Sequence, residues 1–362
     1  MTADDPLHTR LCALTGIRYP VVQTGMGWVA GPSLVSATSQ AGGLGILASA
    51  TMTVPQLREA IAEVQQRTDK PFGVNLRADA ADAEERVDLL IQEGVAVASF
   101  ALAPQRALID KLKDAGVVVI PSVGARRHAE KVAEWGADAV LVQGGEGGGH
   151  TGSVATTLLL PQVVDAVDIP VIAAGGFFDG RGLAAALCYG ASGVAMGTRF
   201  LLTAESRVPD EVKRRYLAAS AADTLVTSEV DGLPHRMLRT GLTDRVQGRS
   251  ALRRLPDALR QARAFKSMTS MTWRQLLADG KAMRKAQGLP WSTVLLAANT
   301  PMLIKRALVD GDPESGVLPA GQVVGMVDEL PTCAELIGEV AAEAERVLTG
   351  LTPAGRSLRT GS

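Results

Sequence analysis

Residues 142–152 read VQGGEGGGHTG, with glycine at 144, 145, 147, 148, 149 and 152, one acid, Glu146, and a single imidazole, His150. A neutral imidazole can take or give a proton near pH 7, so His150 is a candidate acid–base residue. Glu146 is either a second acid or a turn residue. Two more glycine clusters follow, AAGGFFDGRG at 173–182 and AMGTRF at 195–200. Glycine lets backbone N–H groups converge on an anion, and a helix N-terminus adds its dipole. Gly175, Gly176 and Gly197, with the Thr198 hydroxyl, therefore form a candidate phosphate site. Of the other histidines, His8 lies near the terminus, His128 in a helical pattern and His235 in a later insert. GLGILA at 43–48 formally fits a dinucleotide fingerprint, but its second half lies inside a strand and does not open a helix. Nothing resembles a phosphate-loop nucleotide hydrolase, and no metal site is expected.

These residues need a frame to hold them. Short β-branched runs begin at Val21, Gly45, Phe72, Val95, Val117, Val140, Val171 and Val194. Amphipathic stretches such as TVPQLREAIAEVQQRTD and PQRALIDKLKDAG lie between them. Eight near-equal strand–helix units are the number that closes a parallel (β/α)8 TIM barrel, which fits better than a doubly wound open sheet. The runs end on Gln23, Ser49, Asn75, Ser99, Ser122, Gln143, Gly175 and Gly197. In a barrel these would ring the carboxyl-end face, where active sites sit. Asn75 and Gln143 are candidate ligand contacts there, although polar residues are also common where strands meet water. The loops after strands seven and eight are the usual phosphate-binding pair.

After Leu202 the rhythm changes. Residues 206–317 read mostly as helix, broken by one extended piece, PHRMLRT. The barrel pattern returns at GQVVGMVDELPTCAELIGEVAAEAERVL, which can supply the final helix. The expected division is a barrel from 1–205 plus 318–362 and a helical insert between strand eight and its helix. The tail from Thr352 is small and polar and is expected to fray.

Composition excludes several classes. With 46% hydrophobic residues the chain can bury a large core, and a net charge of −1 gives no field toward nucleic acid or membrane. No apolar run is long enough to span a bilayer. The start lacks a secretory pattern, and Cys12, Cys188 and Cys333 are isolated, so a reduced cytoplasmic chain is expected.

The motifs PVVQTGMGWVAG, KPFGVNL, GGEGGGHTG, VIAAGGFFDGRGLAAALCYGASGVAMGTRFL and AGQVVGM resemble the nitronate monooxygenase (2-nitropropane dioxygenase-like) family. The resemblance implies an FMN-dependent barrel with a helical second domain. It places the FMN phosphate on Gly175, Gly176, Gly197 and Thr198, and Met196 and Gly149 are counted among the cofactor-binding residues. The isoalloxazine would lie against Gly25–Met26–Gly27, near Asn75 and Gln143, with His150 facing it. On this view the glycines leave room for cofactor and substrate. The long insert and its FKSMTSMTW segment are more similar to an actinobacterial branch that dehydrogenates a steroid ring-C/D acyl-CoA. The span from Asp244 to Pro290 holds eight arginines and three lysines against three aspartates. Such a basic cap can hold the phosphates of coenzyme A, although charge runs are usually solvated faces. Oxidation of alkyl nitronates with O2, an NAD(P)H-dependent enoyl-type reduction, and a non-redox phosphate-binding barrel are the alternatives. A homo-oligomer is left open.

Overall fold

The computed structural model describes residues 5–101, 103–230, 232–246, 284 and 300–351. Eight apolar runs form a closed parallel barrel: β1 (Val21–Gln23), β2 (Leu44–Ala48), β3 (Phe72–Leu76), β4 (Val97–Phe100), β5 (Val118–Val123), β6 (Val140–Gln143), β8 (Val171–Ala174) and β9 (Gly193–Met196). β7 (Gly149–His150) lies outside it. Closure is direct, since Val22 of β1 is in register with both Leu44 of β2 and Ala195 of β9. The chain is thus a (β/α)8 barrel. Most of these strands are buried on both faces, which is why they read as continuous apolar runs and not as alternating patterns.

The helices follow from amphipathic spacing and local caps. α1 (Arg10–Thr15) precedes β1, and α2 (Pro32–Gln40), α3 (Val54–Arg67), α4 (Ala83–Gln92), α5 (Arg106–Asp114), α6 (Arg126–Glu134), α7 (Thr156–Val164) and α8 (Gly180–Cys188) alternate with the strands. α3 starts on a reciprocal cap: the Thr53 hydroxyl accepts from the Gln56 N–H at 3.4 Å, and the Gln56 side chain accepts from the Thr53 N–H at 2.9 Å. α9 (Thr198–Leu201) is a single turn after β9.

Beyond it come α10 (Asp210–Leu217), β10 (Thr224–Thr227), β11 (His235–Leu238), α11 (Gly241–Val246), α12 (Thr300–Leu308) and α13 (Cys333–Leu351). α13 packs between α8 and α2. A Cβ on Gly180 would come 2.5 Å from the Val340 carbonyl oxygen, and the Thr38 hydroxyl lies 3.7 Å from Cys333 Sγ. The helical ring therefore closes with a segment from the far end of the chain.

The insert departs from the expectation of helix with one extended piece. β10 is a second strand, and β10, β11 and β7 form a three-stranded sheet in that order. β10 is four residues long at a sheet edge, with Leu225 buried and Val226 exposed. So short an alternation is hard to separate from its helical neighbours by periodicity. The expected helices LRRLPDALRQARAFKSM and WRQLLADGKAMRKAQ lie outside the described residues, with Arg284 excepted. The FKSMTSMTW segment and most of the basic span lie outside them too. Among the described residues no helix is long and apolar enough to cross a membrane.

Candidate active site

Register decides which strand-end residues face inward. Val97, Leu141 and Ile172 belong to the cluster that fills the barrel interior. Residues two apart share a face, so Ser99, Gln143 and Ala174 form the next inward level toward the carboxyl end. Asn75 joins this level: it is paired with Ser99 across β3–β4 and donates to the Ser99 hydroxyl at 3.2 Å. Gln23, by contrast, is fully buried and exchanges two 3.3 Å bonds with the backbone of Ile46, so it patches the β1–β2 edge.

The β6–α7 loop is organised by the two polar residues that flank its glycines. Gln143 donates from Nε2 to the His150 carbonyl at 2.8 Å, curling residues 144–150 back over the strand end. The Glu146 carboxylate accepts the Thr156 N–H at 2.9 Å, and the Thr156 hydroxyl stands 2.7 Å from it. It therefore caps the start of α7, where a negative charge also meets the helix dipole. The half-buried Arg236 on β11 donates to the Gly145 carbonyl at 2.9 Å, and burial lowers its pKa against the opposing pull of Glu146.

The expectation that this glycine run leaves space for a ligand needs correction at three positions. A Cβ on Gly144 would fall 2.0 Å from Thr156 Oγ1, on Gly147 2.6 Å from Gln143 Nε2, and on Gly148 2.5 Å from the Gly321 nitrogen. The chain itself fills that space. Gly149 differs: its φ is 76° and an added Cβ would meet nothing within 4 Å.

The β8 and β9 ends face the same mouth. Gly175 and Gly176 have φ of 93° and 86°, a consecutive pair that side chains rarely allow. Gly176 is exposed. The Thr198 hydroxyl accepts the Gly321 N–H at 2.9 Å, and its own proton remains to be donated. A Cβ on Gly197 would lie 3.3 Å from Thr24 Oγ1 and 3.5 Å from Met26 Sδ. Met196 is buried, and its carbonyl accepts the Thr24 N–H at 3.2 Å, so its contribution here is backbone. Bare backbone with one hydroxyl donor is a set that fits the phosphate end of a nucleotide cofactor.

The β1–α2 loop carries Gly25, Met26 and Gly27. A Cβ on Gly25 would sit 2.4 Å from Asn75 Cβ, so this glycine brings the loop onto β3. Trp28 follows with φ of 66°, the only non-glycine positive φ among the described residues. Its indole N–H donates to the Pro301 carbonyl at 2.8 Å, in the first turn of α12.

His150 is exposed, and its strand β7 pairs with β11. The partner directly opposite is His235, 2% exposed, with ring centroids 4.8 Å apart and planes 38° apart. His235, Trp28 and Gly321 escaped assignment from sequence. His235 stands far from His150 along the chain, and only strand register joins them. Gly321 carried a signal, the AGQVVGM motif, without a role attached. Its segment staples the mouth: the Gln322 N–H donates to the Glu146 carbonyl at 3.0 Å while Gly321 reaches Thr198.

The nitronate monooxygenase family model matches residues 8–86 and 80–343. A protein of Mycobacterium tuberculosis named (3aS,4S,5R,7aS)-5-hydroxy-7a-methyl-1-oxo-octahydro-1H-indene-4-carboxyl-CoA dehydrogenase is 65% identical over 93% of this chain and 96% of its own length. A protein of the same name from Rhodococcus jostii is 63% identical over 95% of this chain and 98% of its own. Among solved structures, FabK from Thermotoga maritima superposes with a TM-score of 0.76 at 36% identity, covering 95% of this chain and 98% of that one. Nitroalkane oxidase from Streptomyces ansochromogenes gives 0.74 at 30%, covering 94% and 99%.

Proposed function

The chain belongs to the nitronate monooxygenase family of flavin oxidoreductases, and from that premise we propose that it uses FMN to desaturate a steroid-derived bicyclic hydroxy acyl-CoA. The observation that carries this reading is identity of 65% and 63%, sustained over more than nine-tenths of the chain, to two proteins named as dehydrogenases of such a thioester. Likeness of that extent includes the insert as well as the barrel.

The residues are assigned roles accordingly. Backbone at Gly175, Gly176 and Gly197, with the Thr198 hydroxyl, holds the cofactor phosphate. The Gly25–Met26–Gly27 backbone, Asn75 and Gln143 surround the ring system, and Gly149 and Met196 are further cofactor contacts. Bound flavin supplies a two-electron acceptor. The thioester carbonyl acidifies the neighbouring α-hydrogen, and the exposed imidazole of His150 takes that proton. Glu146 is assigned a positioning role, because its carboxylate is committed to the α7 cap. Residues 206–317 are read as the cap over this mouth, and the basic span from Asp244 to Pro290 as the cradle for the coenzyme A phosphates.

Anaerobic titration of the purified yellow protein with the ring-C/D acyl-CoA tests the reading: the flavin absorbance should bleach in proportion to thioester added. His150→Ala should keep its flavin and bleach more slowly by about 10²–10⁴-fold. No bleaching by acyl-CoA, with rapid oxygen uptake on ethyl nitronate, would replace the desaturation with nitronate oxidation.

A further inference from the structure

We propose that Trp28 is a positioning residue whose indole clasps the β1–α2 loop to α12 and so holds the Gly25–Met26–Gly27 backbone in the shape that meets the cofactor ring. The proposal rests on the reading of that loop as the isoalloxazine contact and gives a role to a residue that sequence analysis left without one.

Trp28 stands at a place in the chain that disfavours a side chain. The Val29 N–H donates to the Met26 carbonyl at 3.1 Å, which closes a turn over residues 26–29. Trp28 is third in this turn with φ of 66°, whereas the φ of Gly27, second in it, is not positive. A positive φ at the third position alone is the pattern of a type II turn, where glycine or asparagine is the usual occupant. There a Cβ crowds the following carbonyl. For a bulky residue such a φ is an outlier, and it persists only where the surroundings over-determine it.

The backbone on either side is anchored. Gly25 lies against Asn75, where an added Cβ would come 2.4 Å from Asn75 Cβ. After the turn, Val29 and Ala30 are buried, and the Ala30 carbonyl accepts the Ala48 N–H of β2 at 3.0 Å. Between these anchors the indole reaches out to the insert. An indole has one donor, and Trp28 gives it to the Pro301 carbonyl at 2.8 Å. The net gain from such a bond and the cost of a side chain in the left-handed region are of the same order. The bond is therefore large enough to decide which shape the turn keeps. Relaxation to the commoner type I form would turn over the peptide between Gly27 and Trp28 and exchange the directions of its C=O and N–H. The clasp thus fixes which of these two groups the loop presents at the mouth.

Three variants separate the clasp from simple packing. Trp28→Phe keeps a flat ring without the N–H, Trp28→Ala loses the indole but keeps a Cβ, and Trp28→Gly removes the clasp together with the strain it opposes. The FMN dissociation constant by equilibrium dialysis and the visible circular dichroism of the bound flavin are measured for each. Trp28→Phe and Trp28→Ala should bind FMN about tenfold more weakly, with an altered flavin spectrum, while Trp28→Gly stays within about threefold of wild type with the wild-type spectrum. Packing alone predicts the reverse order, phenylalanine best and glycine worst, and that order would overturn the proposal. Equal weakening in Trp28→Gly and Trp28→Ala would also overturn it, because the shape of the turn would then be irrelevant. Wild-type values in all three would show the clasp to be dispensable, and weaker binding with an unaltered spectrum would show that the loop does not meet the ring; either result sinks the idea. If Trp28→Ala fails to accumulate, the order of Trp28→Phe and Trp28→Gly decides alone. A wild-type protein that takes up no FMN would refute the cofactor reading itself, and with it this refinement.

Discussion

The two glycine-rich regions of the mouth look alike in sequence and differ in what surrounds them. Around residues 144–148 an added methyl would strike Thr156, Gln143 or Gly321. At Gly176 it would meet Glu146 Cβ at an ordinary 3.5 Å, and only the positive φ argues for glycine. The first region is glycine-rich because chain packs on chain. At Gly176 the reason is the shape the backbone must adopt while remaining open to solvent, whereas its neighbour Gly175 combines that shape with packing, since a Cβ there would come 3.0 Å from the Gly144 carbonyl oxygen.

The sharpest way to break this contrast is Gly144→Ala. Its methyl would press on the Thr156 hydroxyl, nitrogen and Cα, so a loss of about 3 kcal/mol or more is expected. Thermal unfolding followed by circular dichroism should show a much lower midpoint, or the protein should fail to accumulate. An unchanged midpoint would mean that the loop has slack and the packing account is wrong. Next in size is Glu146→Gln, which keeps the shape of the α7 cap and removes its charge. Stability should fall by about 1 kcal/mol, while the rate of flavin reduction stays near wild type. A rate lowered by about 10²-fold at unchanged stability would return Glu146 to the proton chemistry.

Gly176→Ala is milder on the fold, with about 1 kcal/mol of backbone strain expected. Its larger effect should be on the cofactor, with FMN dissociating about tenfold more readily in equilibrium dialysis. Stability lost without any change in flavin affinity would detach this turn from the phosphate. Smallest of all is Gly152→Ala, where a methyl meets nothing within 4 Å. A shift under about 0.5 kcal/mol is expected there, and a larger one would show that the end of the loop is also packed.

The barrel was legible because most of its strands are fully buried runs, and burial on both faces writes itself directly into composition. Boundaries moved little: the run beginning at Val95 starts pairing at Val97, and that at Val117 starts at Val118. The small sheet was not legible. Two residues of β7 carry no period, and β10 is too short to declare one. Within the site, Asn75 and Gln143 followed from their places at strand ends and Gly175, Gly176 and Gly197 from their clustering after the last two strands. The partners of mouth residues did not, since Thr156 lies ten residues past Glu146 and His235 is joined to His150 only by register. Glycine counts could not say whether a space would be filled by ligand or by the chain.

The indole bond from Trp28 to Pro301 has a bearing on how the molecule is made. The loop after the first strand takes its anchor from a residue translated 273 positions later, and β1 itself must wait for β9 before it has both neighbours. Contacts of such separation form late. During synthesis the entrance therefore stays unfinished until Pro301 has left the ribosome.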